Sequence, residues 1–578
     1  MTVGRRELLG SGAGLLVASV LLGPLLGPGY VLIRDMVFVP EWPLTRELLG
    51  LADALPRAVP SDLVVALPTH VVPGHVVQKV VLVGAIAGGF WGLLRLLPDR
   101  IPVIGRLAGG VYFVWNAWLY ERLLLGHWPL LIAYATLPWA VAWAREAIDD
   151  DGPISLPGSL VIAGLTGGAG LALVLPTTLA TLWWPKGRHL ARRQVARASV
   201  VALATTTLMA LSWVLPTLLR SGDLPLRPSA FELFAARADT PFGTVGSLLT
   251  LGGAWNALTA PSERALLLPA SLTLLLALAG IGGLVVLWRA GDRHLTGALG
   301  LAGTASLFLV VAVATPVAID LLADAVTVFP GLSILRDAQK FVAPLALAEA
   351  VGLAALVGRL LVPTPLRPSG VLAATTLGLL PFAVLPSMAW GLGGQLAAVD
   401  YPPEWFEARS FMEQDPRPGD VLVLPWTLYQ RLPFNPDRVV LSPAQRFFPR
   451  NAVVADDLVI GDEVLRGERA AARAAEAAVT SGRALADALP ELGIRYVFVA
   501  RPDGATSRQL AGLERVVDGD AAQLFRVSGR VAAEPRHGDQ PPALPVLFGD
   551  LAAITALTVM AVKLRRRRGH CVSCRVDG

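Results

Sequence analysis

Runs of about 20 consecutive apolar residues recur along most of this chain, and few folds are compatible with them. A membrane-spanning helix needs roughly 20 mostly apolar residues, because inside a bilayer every backbone polar group must be paired within the protein. The first run covers about 8–27. Others fall at about 79–97, 103–119, 128–144, 198–218, 265–288, 295–318, 341–361, 370–394 and 542–562, with a further stretch at 157–184. Charged residues make up only 16% of the 578 residues, against roughly 25% in soluble domains, and mean hydropathy is +0.57. A water-soluble enzyme of this length is excluded. The net charge of +5 does not point to nucleic acid: the basic excess sits in short loops and a tail, as the positive-inside rule expects. Two cysteines, Cys571 and Cys574, are too few for a disulfide scaffold. Beside His570 they offer three zinc ligands in principle, with plain cytoplasmic thiols as the simpler reading.

Charge also sets the expected topology. Arg5 and Arg6 precede the first run and place the amino terminus inside. The run is long for a cleaved signal peptide and no A-x-A site follows it. Lys186, Arg188, Arg192, Arg193 and Arg197 belong inside as well, so the stretch 157–184 should be two short or re-entrant halves bent at Gly167-Gly168-Ala169-Gly170. The flank Asp149-Asp150-Asp151 does not decide the matter. The tail Arg565-Arg566-Arg567-Arg568 then also falls inside. The expected fold is an α-helical polytopic membrane protein of about twelve segments with an extracytoplasmic α/β domain before the last span. Its parts are a multi-span domain at 1–394, the α/β domain at 395–541, and a final helix with a basic cytoplasmic tail at 542–578. The other outer pieces are about 28–78, 119–127, 219–264 and 319–340.

Within 395–541, Val421–Leu424 and Tyr496–Val499 read as strands, being short β-branched or aromatic runs bounded by turn residues. Glu463–Leu489, rich in Ala, Arg and Glu, reads as one or two helices. No Gly-rich phosphate loop, HExxH or GxSxG motif occurs there. Asp456 and Asp457 form either a metal-ligand pair or, more simply, a solvated turn.

Ionisable groups next to hydrocarbon are expensive and so mark candidate sites. Asp35 lies in the largely apolar segment Tyr30–Pro40, just outside the first helix, where its carboxylate either serves as a general base or caps and pairs locally with Arg34. A second cluster, Asn116 to Pro129, carries Glu121, Arg122 and His127. An adjacent Glu–Arg pair is often a structural clamp, and a lone His is weak evidence for a metal. The third cluster is Arg336-Asp337-Ala338-Gln339-Lys340. Its two cations suit a lipid-linked phosphate, although snorkelling anchors have the same composition; at an outer face they run against the positive-inside bias.

Together these segments resemble the GT-C superfamily, membrane glycosyltransferases that use polyprenyl-phosphate sugars, and within it the actinobacterial arabinofuranosyl- and mannosyltransferases of cell-envelope assembly. Arg34–Pro40, Glu121–Pro129, Leu335–Phe341 and Ser442–Arg450 carry the resemblance. It implies transfer of a sugar from a polyprenyl-phosphate donor to an envelope glycan or glycolipid at the outer face of the cytoplasmic membrane, with Asp35 as base. The candidate substrate-binding residues are Arg34, Glu121, Arg122, His127, Arg336, Asp337 and Lys340. Many members pair two acidic residues where this chain has Asp35-Met36. No cofactor is implied with certainty, no protein metal ligand is assigned, and the need for a divalent cation stays open. Trp42 and Trp118 are the aromatic candidates for stacking on a sugar.

Two other classes fit the same pattern. One is a transporter or flippase of a lipid-linked precursor, which normally shows internal repeats; the other is a non-catalytic assembly scaffold acting through 395–541. Deleting that domain is expected to cost a scaffold its partners while leaving an enzyme's membrane site in place.

Overall fold

A computed structural model of the chain describes residues 3–149, 155–185, 192–220, 229–361, 367–501, 503–532 and 540–573. Asp150, Asp151, Lys186, Arg188 and Cys574 lie outside these residues, as do part of the basic loop and the end of the tail. Six helical segments are long and apolar enough to cross a membrane: Leu8–Leu26, Gly74–Leu96, Arg192–Leu218, Leu267–Arg289, Arg293–Val313 and Ala338–Leu360. A seventh arises if Pro368–Val384 and Pro386–Gly393, bent by 66° at their junction, form one span. The molecule is a multi-pass membrane protein. By this measure six to seven spans are supported among the described residues and about twelve segments are not confirmed, and the physical reason lies in the remaining helices. Val103–Val114 has only 12 residues. Trp128–Asp149 is long enough, but Pro138, Trp139, Trp143, Arg145 and Glu146 dilute its apolar character. Leu156–Leu165 and Gly168–Trp183 are short and break at Gly167, whose φ is +87°.

The centre of the bundle is the segment Ala338–Leu360, almost wholly buried. It packs on Leu267–Arg289 through facing glycines. A Cβ at Gly283 would lie 1.8 Å from the Gly352 carbonyl oxygen, and one at Gly352 equally close to that of Gly280. With no hydrophobic driving force between helices in lipid, such close backbone approach is what gains dispersion energy.

The α/β part holds a five-stranded sheet in the order Glu514–Val517, Gln523–Arg526, Ile494–Val499, Asp420–Leu424, Ala452–Val453. Asp420–Leu424 runs parallel to both its neighbours, and the other pairs are antiparallel. Ile494–Val499 is buried at all six positions, as expected of a strand covered on both faces. Both sequence-read strands lie in this sheet. The stretch 463–489 differs from its sequence reading: Glu463–Leu465 pairs with Leu458–Ile460 as a hairpin, and the helix begins at Ala470. Asp456 and Asp457 lie in an irregular stretch and accept backbone N–H groups from Arg469 and Gly467, 13 and 10 residues further on.

The sheet is not a detached unit. Tyr30–Val31 pairs antiparallel with Ala398–Val399, and Asn435 donates its side-chain amide to the Leu32 carbonyl at 2.9 Å. Phe38, Trp405, Phe447 and Phe498 belong to the same apolar core as the helices.

Candidate functional site

The Asp35 turn is gripped from two sides. Ile33 and Met36 close it by exchanging backbone hydrogen bonds of 3.3 and 2.8 Å. On the membrane side the helix Ala117–Leu125 starts at Asn116, whose side chain accepts the Leu119 N–H, and stops at Gly126, whose φ is +79°. Its last carbonyls are used by the turn: Leu125 accepts from the Asp35 N–H at 3.2 Å and Leu124 from the Arg34 guanidinium at 2.8 Å. A Cβ on Gly126 would sit 2.2 Å from the Met36 nitrogen, so glycine here both ends the helix and admits the turn. On the other side Arg34 donates its N–H to Val439 at 2.7 Å and accepts from Leu441 at 2.8 Å. Arg34 itself is left-handed, with φ +42°, a strained state for a residue with a Cβ.

A polar chain runs through Asp35. Tyr429 donates its hydroxyl to one carboxylate oxygen. His127 Nε2 lies 3.3 Å from the other, and His127 Nδ1 lies 3.1 Å from Arg122 Nη1. Arginine only donates, so Nδ1 accepts, and the imidazole proton is on Nε2, facing Asp35. Arg122, with no exposure, forks onto Asp337 at 2.7 and 3.3 Å and also donates to Gln339. Gln339 in turn donates to Glu121 at 2.9 Å. Burial raises the pKa of Asp35, but the hydrogen bonds from His127 and the Tyr429 hydroxyl and the Arg446 charge outweigh it, and the net shift is downward. Its carboxylate is 41% exposed, so it remains accessible. Glu121 is the opposite case: sealed, and pushed well above the usual carboxylate range by burial and by Asp239.

All eight sequence-selected residues are linked by bonds or electrostatics around this chain, seven of them being Arg34, Asp35, Glu121, Arg122, His127, Asp337 and Lys340. Arg336 joins through its electrostatic interactions with Tyr429 and Asp337. Among the described residues, the side chains of Arg336 and Lys340 make no hydrogen bond or ion pair; each has an aromatic contact, at 4.4 Å to Phe234 and 5.2 Å to Phe341. Glu121 and Arg122 are too deep to touch a substrate and hold the site from behind. Trp42 and Trp118 do not face a sugar: both are buried, Trp42 under Arg446 and Trp118 stacked on Tyr134.

Three partners are absent from the sequence-selected set. Tyr429 and Gln339 are ordinary polar residues in their local sequence. Arg446, bonded to Asp62 at 2.9 Å, lies inside the Ser442–Arg450 stretch, which was the available signal. No group of three His, Cys, Asp or Glu side chains converges as a metal site among the described residues. A small, partly open cavity lies elsewhere, lined by Tyr112, Asn116, Arg264, Leu276 and Leu385. Asp239, Thr250 and Ser247 occupy the Arg264 guanidinium there, so it offers no free cation.

No protein family and no curated protein matches the sequence. Among solved structures, the cryo-EM structure of arabinofuranosyltransferase AftD from Mycobacteria is similar, with a TM-score of 0.62 and 17% identity over 92% of this chain and 40% of that one. Two classes of a mutant of the same enzyme give TM-scores of 0.56 over 92% of this chain and 42% of theirs. This chain therefore spans about two fifths of the length of the structures it matches. At such identity the likeness is one of architecture: the chain has the fold of the mycobacterial arabinofuranosyltransferase AftD.

Proposed function

We propose that the protein is a GT-C-type glycosyltransferase that moves a sugar from a polyprenyl-phosphate donor to a cell-envelope glycan or glycolipid at the outer face of the cytoplasmic membrane. In this reading both termini are cytoplasmic and the short helices within 156–183 return the chain to the inside, giving about twelve membrane segments. The α/β part at 395–541 is extracytoplasmic and 542–578 is the last helix and tail. The fold shared with an enzyme named for arabinofuranosyl transfer supports sugar transfer over transport. The observation that carries the proposal is the state of Asp35: 41% exposed, held in its ionised form by His127 and Tyr429, and linked through His127 and Arg122 to Asp337, which lies beside Arg336 and Lys340 in the chain.

The chemistry follows. The acceptor hydroxyl oxygen attacks the anomeric carbon, the bond from that carbon to the phosphate oxygen breaks, and the phosphate leaves with the electron pair. Asp35 takes the hydroxyl proton. A leaving phosphate that is already anionic needs charge stabilisation more than a proton. Arg336 and Lys340, with no protein acceptor of their own, supply it, while Asp337 and Arg122 fix the turn that carries them. Anchoring donor and acceptor at one membrane face supplies orientation.

Asp35→Asn keeps the shape of the turn and removes the base. It should insert like the parent and lose only the modest stability that the ionised carboxylate contributes, but transfer roughly 10²–10⁴-fold more slowly in vesicles given polyprenyl-phosphate sugar and acceptor glycan. Parent-like turnover would remove Asp35 from this role.

A further inference from the structure

A shallow, partly open pocket on the α/β part is lined by Trp426, Asp456, Asp457, Arg473 and Glu476 over two buried alanines, Ala455 and Ala472. Pro425, which cannot donate to a sheet, ends the strand Asp420–Leu424 and turns the chain out at Trp426. The half-buried indole packs against the smaller apolar core that holds Leu424, Val453 and Val499. Among the described residues its ring has no aromatic or cationic partner. The helix Ala470–Thr480 supplies Arg473 and Glu476, which share a face at a spacing of three.

The polar groups of the pocket are only partly used. Arg466 bonds both Asp457, at 3.1 Å, and Glu476, at 2.8 Å, and Asp457 also accepts the Gly467 N–H. Asp456 accepts the Arg469 N–H through Oδ2, and its Oδ1 has no hydrogen bond among the described residues. The exposed Arg473 guanidinium makes no hydrogen bond or ion pair among them either. A free acceptor and a free planar donor therefore flank an uncovered aromatic ring. A phosphate does not suit this rim, since three carboxylates outnumber its two guanidinium groups, Arg466 and Arg473. A sugar ring does: its C–H face lies on an aromatic plane, while adjacent hydroxyls donate one proton and accept another.

The pocket also lies close to Asp35. Trp426 is three residues before Tyr429, so their Cα atoms are at most about 11 Å apart, and Tyr429 donates to Asp35. Asp456 interacts electrostatically with Glu468, Glu468 with Arg336, and Arg336 with Tyr429. A short oligosaccharide held at Asp35 spans that separation.

We propose that Trp426, Asp456 and Arg473 form a subsite for a neutral sugar ring of the acceptor glycan, beyond the ring that presents its hydroxyl to Asp35. The subsite rests on the preceding reading in taking the acceptor to be a glycan. The same ring chemistry could come from the donor's sugar, but that ring carries a phosphate, which the carboxylates repel.

The test is equilibrium binding to the full chain in phosphatidylcholine nanodiscs, with one ligand present at a time: a neutral pentofuranose oligosaccharide, a neutral hexopyranose oligosaccharide, or a polyprenyl-phosphate sugar. Arg473 is exposed and unpaired, so Arg473→Gln leaves the fold intact. It should weaken oligosaccharide binding by about tenfold, the effect of losing one charge-assisted bond. Trp426→Ala should weaken it by at least as much, and Trp426→Phe, which keeps a ring, should recover most of that loss. Donor affinity should stay at the parent value in all three. No binding of either oligosaccharide by the parent, or unchanged affinity in both Arg473→Gln and Trp426→Ala, overturns the subsite. A loss confined to donor binding overturns it too, by giving the pocket to the donor's sugar. Because oligosaccharide binding is read without donor, parent-like turnover of Asp35→Asn would remove the catalytic reading and leave this one standing.

Discussion

Asp35 and Tyr429 are 394 positions apart, and their contact makes the chemistry of this pocket testable by pH. The Tyr429 hydroxyl hydrogen-bonds the ionised carboxylate and is one of the groups that hold its pKa down. Removing a donor to the charged form raises a carboxyl pKa. Tyr429→Phe should therefore move the acidic limb of kcat/KM against pH upward, so that activity is lost at a higher pH as the solution is acidified. The same sign governs stability. A carboxyl whose folded pKa is depressed contributes stability above its unfolded pKa and loses it as pH falls through the folded one; in the variant that contribution is smaller and its loss is complete at a higher pH. An unmoved acidic limb would show that Tyr429 does not bond the base during turnover. Most of the site was legible in the sequence because polar residues beside apolar runs stand out by their cost: Asp35, Arg122, His127, Asp337 and Lys340 were selected on that ground. Tyr429 was not, since in a charged, strand-forming region a tyrosine costs nothing and carries no signal. The roles of Glu121 and Arg122 were also out of reach, because adjacency in sequence does not say that both are sealed behind the site.

At the scale of elements, Gly126 fixes where Asp35 sits. It terminates the helix Ala117–Leu125 with φ +79°, and an added Cβ would lie 2.2 Å from the Met36 nitrogen and 2.8 Å from that of Asp35. Gly126→Ala should displace the Asp35 turn and cost about 1–3 kcal/mol, the usual range for a residue with a Cβ forced into such a conformation. Transfer should fall by more than the stability change alone explains, since a misplacement of about 1 Å costs roughly 100-fold in rate. Unfolding and turnover measured on the same vesicles would separate the two, and parent-like turnover would show that the turn tolerates displacement. Period and composition located the strands at 420–424 and 494–499 because β-branched runs flanked by turn residues have few alternatives. They failed at Glu463–Leu465, where a three-residue strand adjoins a long Ala- and Arg-rich helix and takes on its composition. Twelve segments also go beyond the six to seven spans that length and composition support among the described residues, because an apolar window does not report that Val103–Val114 stops after 12 residues or that Pro386 follows a 66° bend.

Across the whole molecule, the membrane bundle and the α/β part are coupled through the residue before the base. Arg34 donates to Val439 and accepts from Leu441, and the hairpin containing those residues begins at Tyr429. The α/β part thus helps to hold the Asp35 turn, and its deletion does not separate an enzyme from a scaffold as the sequence suggested: either would fail. A finer cut is available because this hairpin is distinct from the five-stranded sheet. Leu441→Pro removes the one N–H that Arg34 accepts and leaves the sheet's own ladder untouched. If the two parts work as a unit, the variant should retain its thermal transition and insertion while losing about tenfold or more in transfer, because the Tyr429 hydroxyl and the Asp35 carboxylate are no longer held in register. Its acidic limb should also shift upward, in the direction expected of Tyr429→Phe, since both changes weaken the same hydrogen bond. A variant with full turnover and an unshifted profile would mean that the outer part merely accompanies a site the membrane helices hold alone.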